Sequence, residues 1–386
     1  MTDHWNDPAF LSDLYTEDAI VLANLWDWRK PWLRGNRDAA DYVGKVYGRP
    51  YAITPVVYSS DGSRVRLAGY FTRGEGENTR HFAFFYFELV KGQDGRWHVA
   101  VDDRTFEPRP LYQETISGEQ LLHLLDAAGI QQAVVLSDAY WFDSPSYRVA
   151  GEGPAEEYKR VQAENDWTAA EAAKSGGRLI AFCSFNPLAD YALKELARCK
   201  SGGAFAGLKL HLQMSGVDLH KGPEVEKVRE VFATADKLGL PITVHAQTAV
   251  EYDAAAAQTF VDKILPAAPH VTVIIAHLWG GGPFAPKPLQ VYVDAVSRQA
   301  PGTKNLYFDV AEAALVADGN KEKLAQIADA IHRIGAQHIL FGSDAVGPSA
   351  LPPEKAAAQF RNDVPITAEE FATIAANRLP FLRQKH

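Results

Sequence analysis

Six polar residues stand where a run of apolar residues stops. Lys209 and His211 close "GLKLHLQ", His245 closes "ITVHAQ", His277 opens "HLWGGG" after "IIA", Asp309 closes "YFD" and Asp344 closes "FGSD". Each of them alone has a plain explanation. A lone histidine after an apolar run is more often a satisfied structural histidine, and an aspartate after a strand commonly caps the next helix. Histidines ending three successive strands, with an aspartate ending the last one, are harder to assign to caps. Neutral imidazole and carboxylate form the ligand set of Zn²⁺ and similar divalent ions. Such an ion lowers the pKa of bound water to about 7, and an adjacent carboxylate can shuttle that water's proton. Asp344 suits both roles, ligand and base. Alternation along the strand puts Lys209 and His211 on the same side, where they can face a substrate.

The elements that must position these residues follow a regular rhythm from Ser117 onward. "SGEQLLHLLDAAGI" reads as an amphipathic helix, with Ser117 and Gln120 placed as a capping box and Gly129 as its stop. Apolar strands follow at "QQAVVLS", "RLIAFCSF", "AFAGLKLHL", "PITVHAQ", "VTVIIAH", "KNLYFDV" and "QHILFGS", with helical stretches between them. Near-continuous apolar strands alternating with helices indicate a parallel sheet buried on both faces. A closed (β/α)8 barrel needs eight strands, and the run supplies seven. The absentee is strand 1, which should precede Ser117 in "WHVAVDDRTFEPRPLYQETI". A flat doubly wound sheet tolerates seven strands, but no Gly-rich phosphate loop opens this one. The reading is therefore an α/β TIM-like (β/α)8 barrel over residues 109–386, strand 1 atypical or missing, with its chemistry at the C-terminal strand ends.

Residues 1–108 have a different rhythm. A helix from about Asp7 gives way within about ten residues to "DAIVLANLW", and "YAITPVVYSS", "SRVRLAGYFTRG", "TRHFAFFYFELVK" and "GRWHVAVDDRTF" read as antiparallel strands. Asp61-Gly62, Gly74-Glu75-Gly76 and Gly92-Gln93-Asp94-Gly95 punctuate them. This is an α+β domain. No acid–base pair stands out in it, and its aromatic faces (Phe82, Phe84 and Tyr86 on one side, His81, Phe85 and Phe87 on the other) suit core, pocket or dimer packing.

Bulk composition narrows the partners. A formal charge of −9, without a compensating Lys/Arg cluster, argues against nucleic acid. No apolar run is long enough to span a membrane, and "MTDHWNDPAF" lacks the basic start and apolar core of a signal peptide. The expectation is a cytoplasmic protein acting on a small molecule. Its short first helix leaves room for an upstream clip that removed a signal peptide. Cys183 and Cys199, 16 apart, read either as buried thiols or as one disulfide.

The strand ends resemble those of the amidohydrolase superfamily, in its amidohydrolase-related branch of metal-dependent hydrolases and decarboxylases. The resemblance spans residues 111–384 and is carried by "LLHLLDAAGIQQAVVLSDAYWF", "ENDWTAAEAAKSGGRLIAFCSFNPL", "GLKLHLQMSGVDL", "VHAQT", "IAHLWGGGP", "NLYFDVA" and "ILFGSDA". It implies that His245 is the metal ligand of barrel strand 5, that His277 is the histidine of strand 6, and that Asp344 is the aspartate of strand 8. Lys209 and His211 occupy the strand-4 site. A divalent metal, zinc by the family's habit, would be held by His245, Asp344 and His277. Asp344, His277, Lys209 and His211 would do the chemistry on a C–N or C–O bond or a carboxylate. The family's usual His-x-His pair ending strand 1 occurs nowhere in this chain, so low metal occupancy is expected, and a barrel acting only as a binding or scaffold protein is the alternative. Residues 1–108 resemble the SnoaL-like, ketosteroid-isomerase-like cone through "LSDLYTEDAIVL", "LRGNRDAADYV", "VVYSSDGSRVRLAGYFTRGEG" and "HFAFFYFELVKGQDGRWHVAVDD". That resemblance implies a curved antiparallel sheet with helices and a homodimer through the cone.

Overall fold

A strand that is apolar at every position must bury both faces, whereas one that alternates needs burial on one face only. The two halves of the chain differ in this way. The computed structural model describes residues 8–22, 33–37, 39, 52–73, 80–103, 116–144, 153–345 and 351–379. The chain divides into two units, Met1–Thr115 and Ile116–His386.

In the first unit the helix Pro8–Leu14 runs directly into strand β1 (Tyr15–Leu22). The strands β2 (Leu33–Arg34), β3 (Ala52–Ser60), β4 (Arg64–Arg73), β5 (Arg80–Lys91) and β6 (Trp97–Asp103) complete a six-stranded sheet in the order β2-β1-β6-β5-β4-β3. Strands β3 to β6 are joined antiparallel, and β1 lies parallel to β6. The β3–β4 turn is built on Asp61, whose Oδ1 accepts from the Ser63 and Arg64 amides while Gly62 takes a positive φ of 87°. Along β5 the alternation is plain. Phe85 and Phe87 are buried with rings stacked at 4.5 Å, while Tyr86 turns the other way and donates to Glu88. Asp102 is fully buried on β6 and accepts a 2.6 Å hydrogen bond from the Tyr15 hydroxyl. His98 is bound to the Asp13 carbonyl and to Asp94. Both residues therefore belong to this sheet.

The second unit begins with the helix Gly118–Ala127, capped as its sequence requires. The Gln120 amide donates to Ser117 Oγ, and Gln120 Oε1 accepts from the Ser117 amide. Seven strands follow: β7 (Ala133–Leu136), β8 (Leu179–Ser184), β9 (Gly207–His211), β10 (Ile242–His245), β11 (Val273–Ile275), β12 (Leu306–Asp309) and β13 (Ile339–Leu340). They pair in parallel in sequence order and curl into a TIM-like half-barrel. The segment 104–115, where an eighth strand is expected, lies outside the described residues. Among the described residues, no helix is long and apolar enough to cross a membrane.

Each strand serves two cores. Leu208, Leu210, Ile242, Val244, Val273, Ile275, Leu306, Phe308 and Ile339 face the helices and form the large outer core. The alternate residues face the lumen, where Ile274, Leu340 and Leu379 make a small plug with Val134 and Tyr307. Above the plug the register aligns Phe182 with Gly207, then Ser184 with Lys209 and Lys209 with Thr243. Gly207 is required here. A Cβ at this position would sit inside the ring of Phe182, which is fully buried. Helix Pro154–Ala173 steadies the same strand end. The Asn165 side chain accepts from the Ser184 amide at 2.9 Å and donates to the Ser184 carbonyl at 2.9 Å. Asn165 is held in turn by the buried Glu195, which takes two hydrogen bonds from Arg198. Cys183 on β8 and Cys199 on the helix Ala192–Ser201 form a disulfide, Cα to Cα 6.3 Å, which settles the alternative that the sequence leaves open.

Gly207→Ala should destabilise the protein by about 1–3 kcal/mol, the cost of overpacking a filled core. Phe182→Leu in the same chain should recover part of that loss. Urea unfolding of the two variants measures both effects, and an unaltered Gly207→Ala midpoint would show that the ring has room to move.

Candidate active site at the strand ends

Three loops meet above the lumen, following β11, β12 and β13. Of the six non-glycine residues with positive φ among those described, four lie in these loops: His277 (57°), Leu278 (64°), Glu312 (55°) and Asp344 (50°). Such backbone costs of order 1–3 kcal/mol per residue and persists where the surroundings over-determine it. The surroundings here are specific. Asp309 Oδ1 accepts from the His277 amide at 2.9 Å and from the Ala311 amide at 3.1 Å. The Ala311 carbonyl lies 3.0 Å from His277 Nδ1. A carbonyl can only accept, so Nδ1 carries a hydrogen, and in the neutral ring Nε2 is the nitrogen with the lone pair. That nitrogen is 4.0 Å from Asp344 Oδ2.

The glycines of "HLWGGG" fold back over the neighbouring loop. Gly280, Gly281 and Gly282 all have positive φ. A Cβ on Gly281 would enter the His245 ring, and one on Gly282 would enter the Gln247 amide. His245 is thereby wedged between this loop and His211. Its ring stacks on His211 at 3.8 Å between centroids and stands edge-on to His277 at 5.2 Å. His211 Nδ1 accepts from the Met214 amide at 3.3 Å, and the Tyr140 ring is tilted against its ring at 4.9 Å between centroids. Burial holds His211 and His245 well below the ordinary histidine range, with the positive charge of Lys209 and the adjacent imidazoles adding to it. Both rings are neutral at pH 7.

Lys209 is 6% exposed in the same lumen. Burial pulls its ammonium below the ordinary lysine value, and the charges of Asp344, Asp309 and Asp138 pull it back up. Asp138 follows β7, and its carboxyl is pushed up to about 6, chiefly by burial, with the Tyr140 hydroxyl opposing. Glu164, on helix Pro154–Ala173, is likewise raised to about 6 by burial and then by the charge of Asp138.

The structure thus places Lys209, His211, His245, His277 and Asp344 at one end of the sheet. The imidazoles of His211, His245 and His277 form a chain that ends at the Asp344 carboxylate. Asp309 is at the same end, but it holds the loop together. Among the described residues, the group whose ligand atoms all lie within 4.8 Å of one another is His277, Glu312 and Asp344. An imidazole with a free Nε2 lone pair and two carboxylates is a donor set that fits a divalent ion, and three protein ligands is the usual number in a catalytic zinc site. His245, which the family pattern puts among the ligands, is outside this group. Two acids join the candidates. Glu312 closes "YFDVAE" three residues after Asp309, and Asp138 ends "AVVLSD" just as the other acids end their strands. The same strand-end rule, applied to every strand and to the loop behind it, would have found both.

A family model described as amidohydrolase matches residues 142–376, which is 235 of the 386 residues. Among solved structures, the chain is similar to 2,6-dihydroxybenzoate decarboxylase from Rhizobium, with 18% identity and TM-score 0.48 over 69% of this chain and 88% of that one. It is similar to 5-carboxyvanillate decarboxylase from Sphingomonas paucimobilis, with 15% identity and TM-score 0.46 over 66% and 79%. A third is a dihydroxybenzoic acid decarboxylase from a Polaromonas species with bound manganese and the inhibitor 2-nitroresorcinol, with 17% identity and TM-score 0.44 over 66% and 81%. No curated protein matches the sequence.

Gly281→Ala should displace the His245 ring and destabilise the protein by about 2–4 kcal/mol, since overpacking and a positive φ add up. Thermal melting gives the loss, and histidine NMR signals show whether the His245–His211 stack is broken. Unshifted signals would mean that the loop moves instead of the ring.

Proposed function

The chain belongs to the amidohydrolase family, and from that premise we propose that its barrel is a metal-dependent enzyme. The reaction class is hydrolysis of a C–N or C–O bond, or decarboxylation, of a small molecule. One observation carries this reading: His277, Glu312 and Asp344 close on a common point, with the His277 Nδ1 hydrogen already committed to the Ala311 carbonyl. These three residues would hold the ion, zinc being the first choice for one imidazole and two carboxylates at an open position. When bound, the ion supplies Lewis-acid polarisation and activates water.

The chain's own residues do the rest. Asp344, whose Oδ2 lies 4.0 Å from His277 Nε2, is an exposed carboxylate of the group, placed to take a proton at Oδ2 and return it to the departing group. Lys209 supplies a positive charge in a buried lumen, where it orients an anionic or carbonyl oxygen of the substrate more strongly than it would in water. His211 and His245, stacked and neutral, form a flat wall that excludes water and leaves acceptors for a substrate hydrogen. The N-terminal unit, in this reading, is a SnoaL-like cone over 1–108 that pairs two copies of a cytoplasmic protein. The antiparallel order of β3 to β6 supports the cone. The barrel domain takes 109–386.

The second reading, a barrel that binds without catalysis, has one feature in its favour: the chain has no His-x-His pair. Elemental analysis after dialysis without chelator separates the two. The missing His-x-His pair alone argues for low occupancy, but with His277, Glu312 and Asp344 converging we expect stoichiometric or near-stoichiometric zinc or manganese in the native chain. Asp344→Asn should lower metal affinity by more than the ten- to hundred-fold that losing an outer-sphere partner costs. It should abolish turnover and leave the melting temperature within a few degrees, because Asp344 is on an exposed loop. A metal-free protein that still binds a family substrate tightly would establish the binding reading.

A further inference from the structure

The three residues that converge beyond β11, β12 and β13 all accept. His277 offers the Nε2 lone pair of its neutral ring, and Glu312 and Asp344 offer carboxylate oxygens. The lumen wall on β8, β9 and β10 is built instead from groups that donate. The strand register puts them side by side, since Ser184 pairs with Lys209 and Lys209 with Thr243. Their neighbours along the strands, among them Cys183, Leu208 and Val244, belong to the outer core, so these three side chains face the lumen. One lysine therefore stands between two hydroxyls, and each of the three residues is more than nine-tenths buried.

This row is not satisfied from within the protein. Ser184 Oγ is buried and has no hydrogen-bond partner. Among the described residues, none makes a hydrogen bond or ion pair to Lys209 Nζ. The acids nearby are engaged: Asp309 Oδ1 holds two backbone amides, and Asp138 takes the Tyr140 hydroxyl. Two residues further on, roughly 7 Å along the strand, His211 adds another donor. Its Nδ1 accepts from the Met214 amide at 3.3 Å, so the hydrogen of the neutral ring is on Nε2. The acceptor on the stacked imidazole wall is then the one on His245.

A buried hydroxyl without a partner is unfavourable, because the water it gave up has not been replaced. An oxyanion among these donors restores that hydrogen bond and also meets the ammonium charge, whereas a neutral carbonyl does only the first. We propose that Ser184, Lys209 and Thr243, with the Nε2 hydrogen of His211 beyond them, form a carboxylate-binding subsite, so that the substrate is a small organic acid. Ser184 is the residue that sets this preference, since its hydroxyl has no other task. The proposal rests on the reading above for where the chemistry occurs. The subsite itself needs no ion, so the two can fail separately.

The test is acetate binding to the full chain in chelator at pH 7.5 and constant ionic strength, followed by imidazole NMR signals. Acetamide serves as the neutral probe of the same shape. Acetate should bind saturably and move the His211 Nε2 hydrogen signal, and acetamide should do neither. Ser184→Ala should weaken acetate binding about tenfold or more, the effect of losing a hydrogen bond to a charged group. Its melting temperature should be unchanged or higher, because the hydroxyl has no protein partner to lose. Lys209→Met should weaken acetate at least as much; if it does not fold, Ser184→Ala alone decides. Acetate binding that survives Ser184→Ala overturns the proposal, as do equal binding of acetamide and a ring hydrogen found on His211 Nδ1. A Ser184→Ala chain that melts lower also overturns it, since the hydroxyl would then serve the fold. Absence of acetate binding in chelator removes the subsite and leaves the metal reading standing. Acetate binding to a chain that never holds metal keeps the subsite and removes the metal reading.

Discussion

One oxygen atom organises the mouth of the barrel. Asp309 Oδ1 accepts from the amides of His277 and Ala311, on loops that leave neighbouring strands. Charge-assisted hydrogen bonds of this kind are roughly twice as strong as neutral ones, and two on one oxygen hold the β11 loop in a left-handed conformation that its residues would otherwise avoid. From that fixed backbone the His277 ring finds the Ala311 carbonyl, which sets its tautomer and leaves Nε2 facing Asp344 and Glu312. The bent backbone also turns Gly280 to Gly282 back over His245. A change at Asp309 would therefore disturb the site more than its lack of contact with a reacting group suggests.

The other half of the mouth is held by a comparable device. The Asn165 side chain bonds both the amide and the carbonyl of Ser184, as a neighbouring strand would. Behind it the Glu195–Arg198 pair satisfies the remaining amide hydrogen. A buried acid of this sort costs desolvation unless every lone pair is used, and the geometry of Asn165 and Arg198 uses them. This outer network fixes β8, and β8 sets the height of Lys209 on β9.

Electrostatics in the lumen follow from these positions. Desolvation pushes the histidines toward neutrality, the lysine toward deprotonation and the carboxyl of Asp138 toward protonation. The charges of Asp344, Asp309 and Asp138 restrain the lysine. Neutral imidazoles thus stand beside a buried ammonium, where charges interact more strongly than in bulk water.

Much of this was legible in the sequence. The seven barrel strands, the capping box at Ser117 and Gln120, and the polar strand ends at 209, 211, 245, 277, 309 and 344 follow from local periodicity, which decides burial of alternate faces and needs no distant contact. What each polar residue does was not. Asp309 and Asp344 look alike in sequence, yet one gives an oxygen to two backbone amides and the other joins His277 and Glu312. Glu312 and Asp138 become neighbours of the site because the sheet curls and the loops turn through positive φ, and both depend on packing between residues tens to hundreds apart. Local pattern fixes which face a side chain takes. The convergence of side chains from different strands, and the identity of the partner that claims each charge, exist only once the sheet has curled around its lumen.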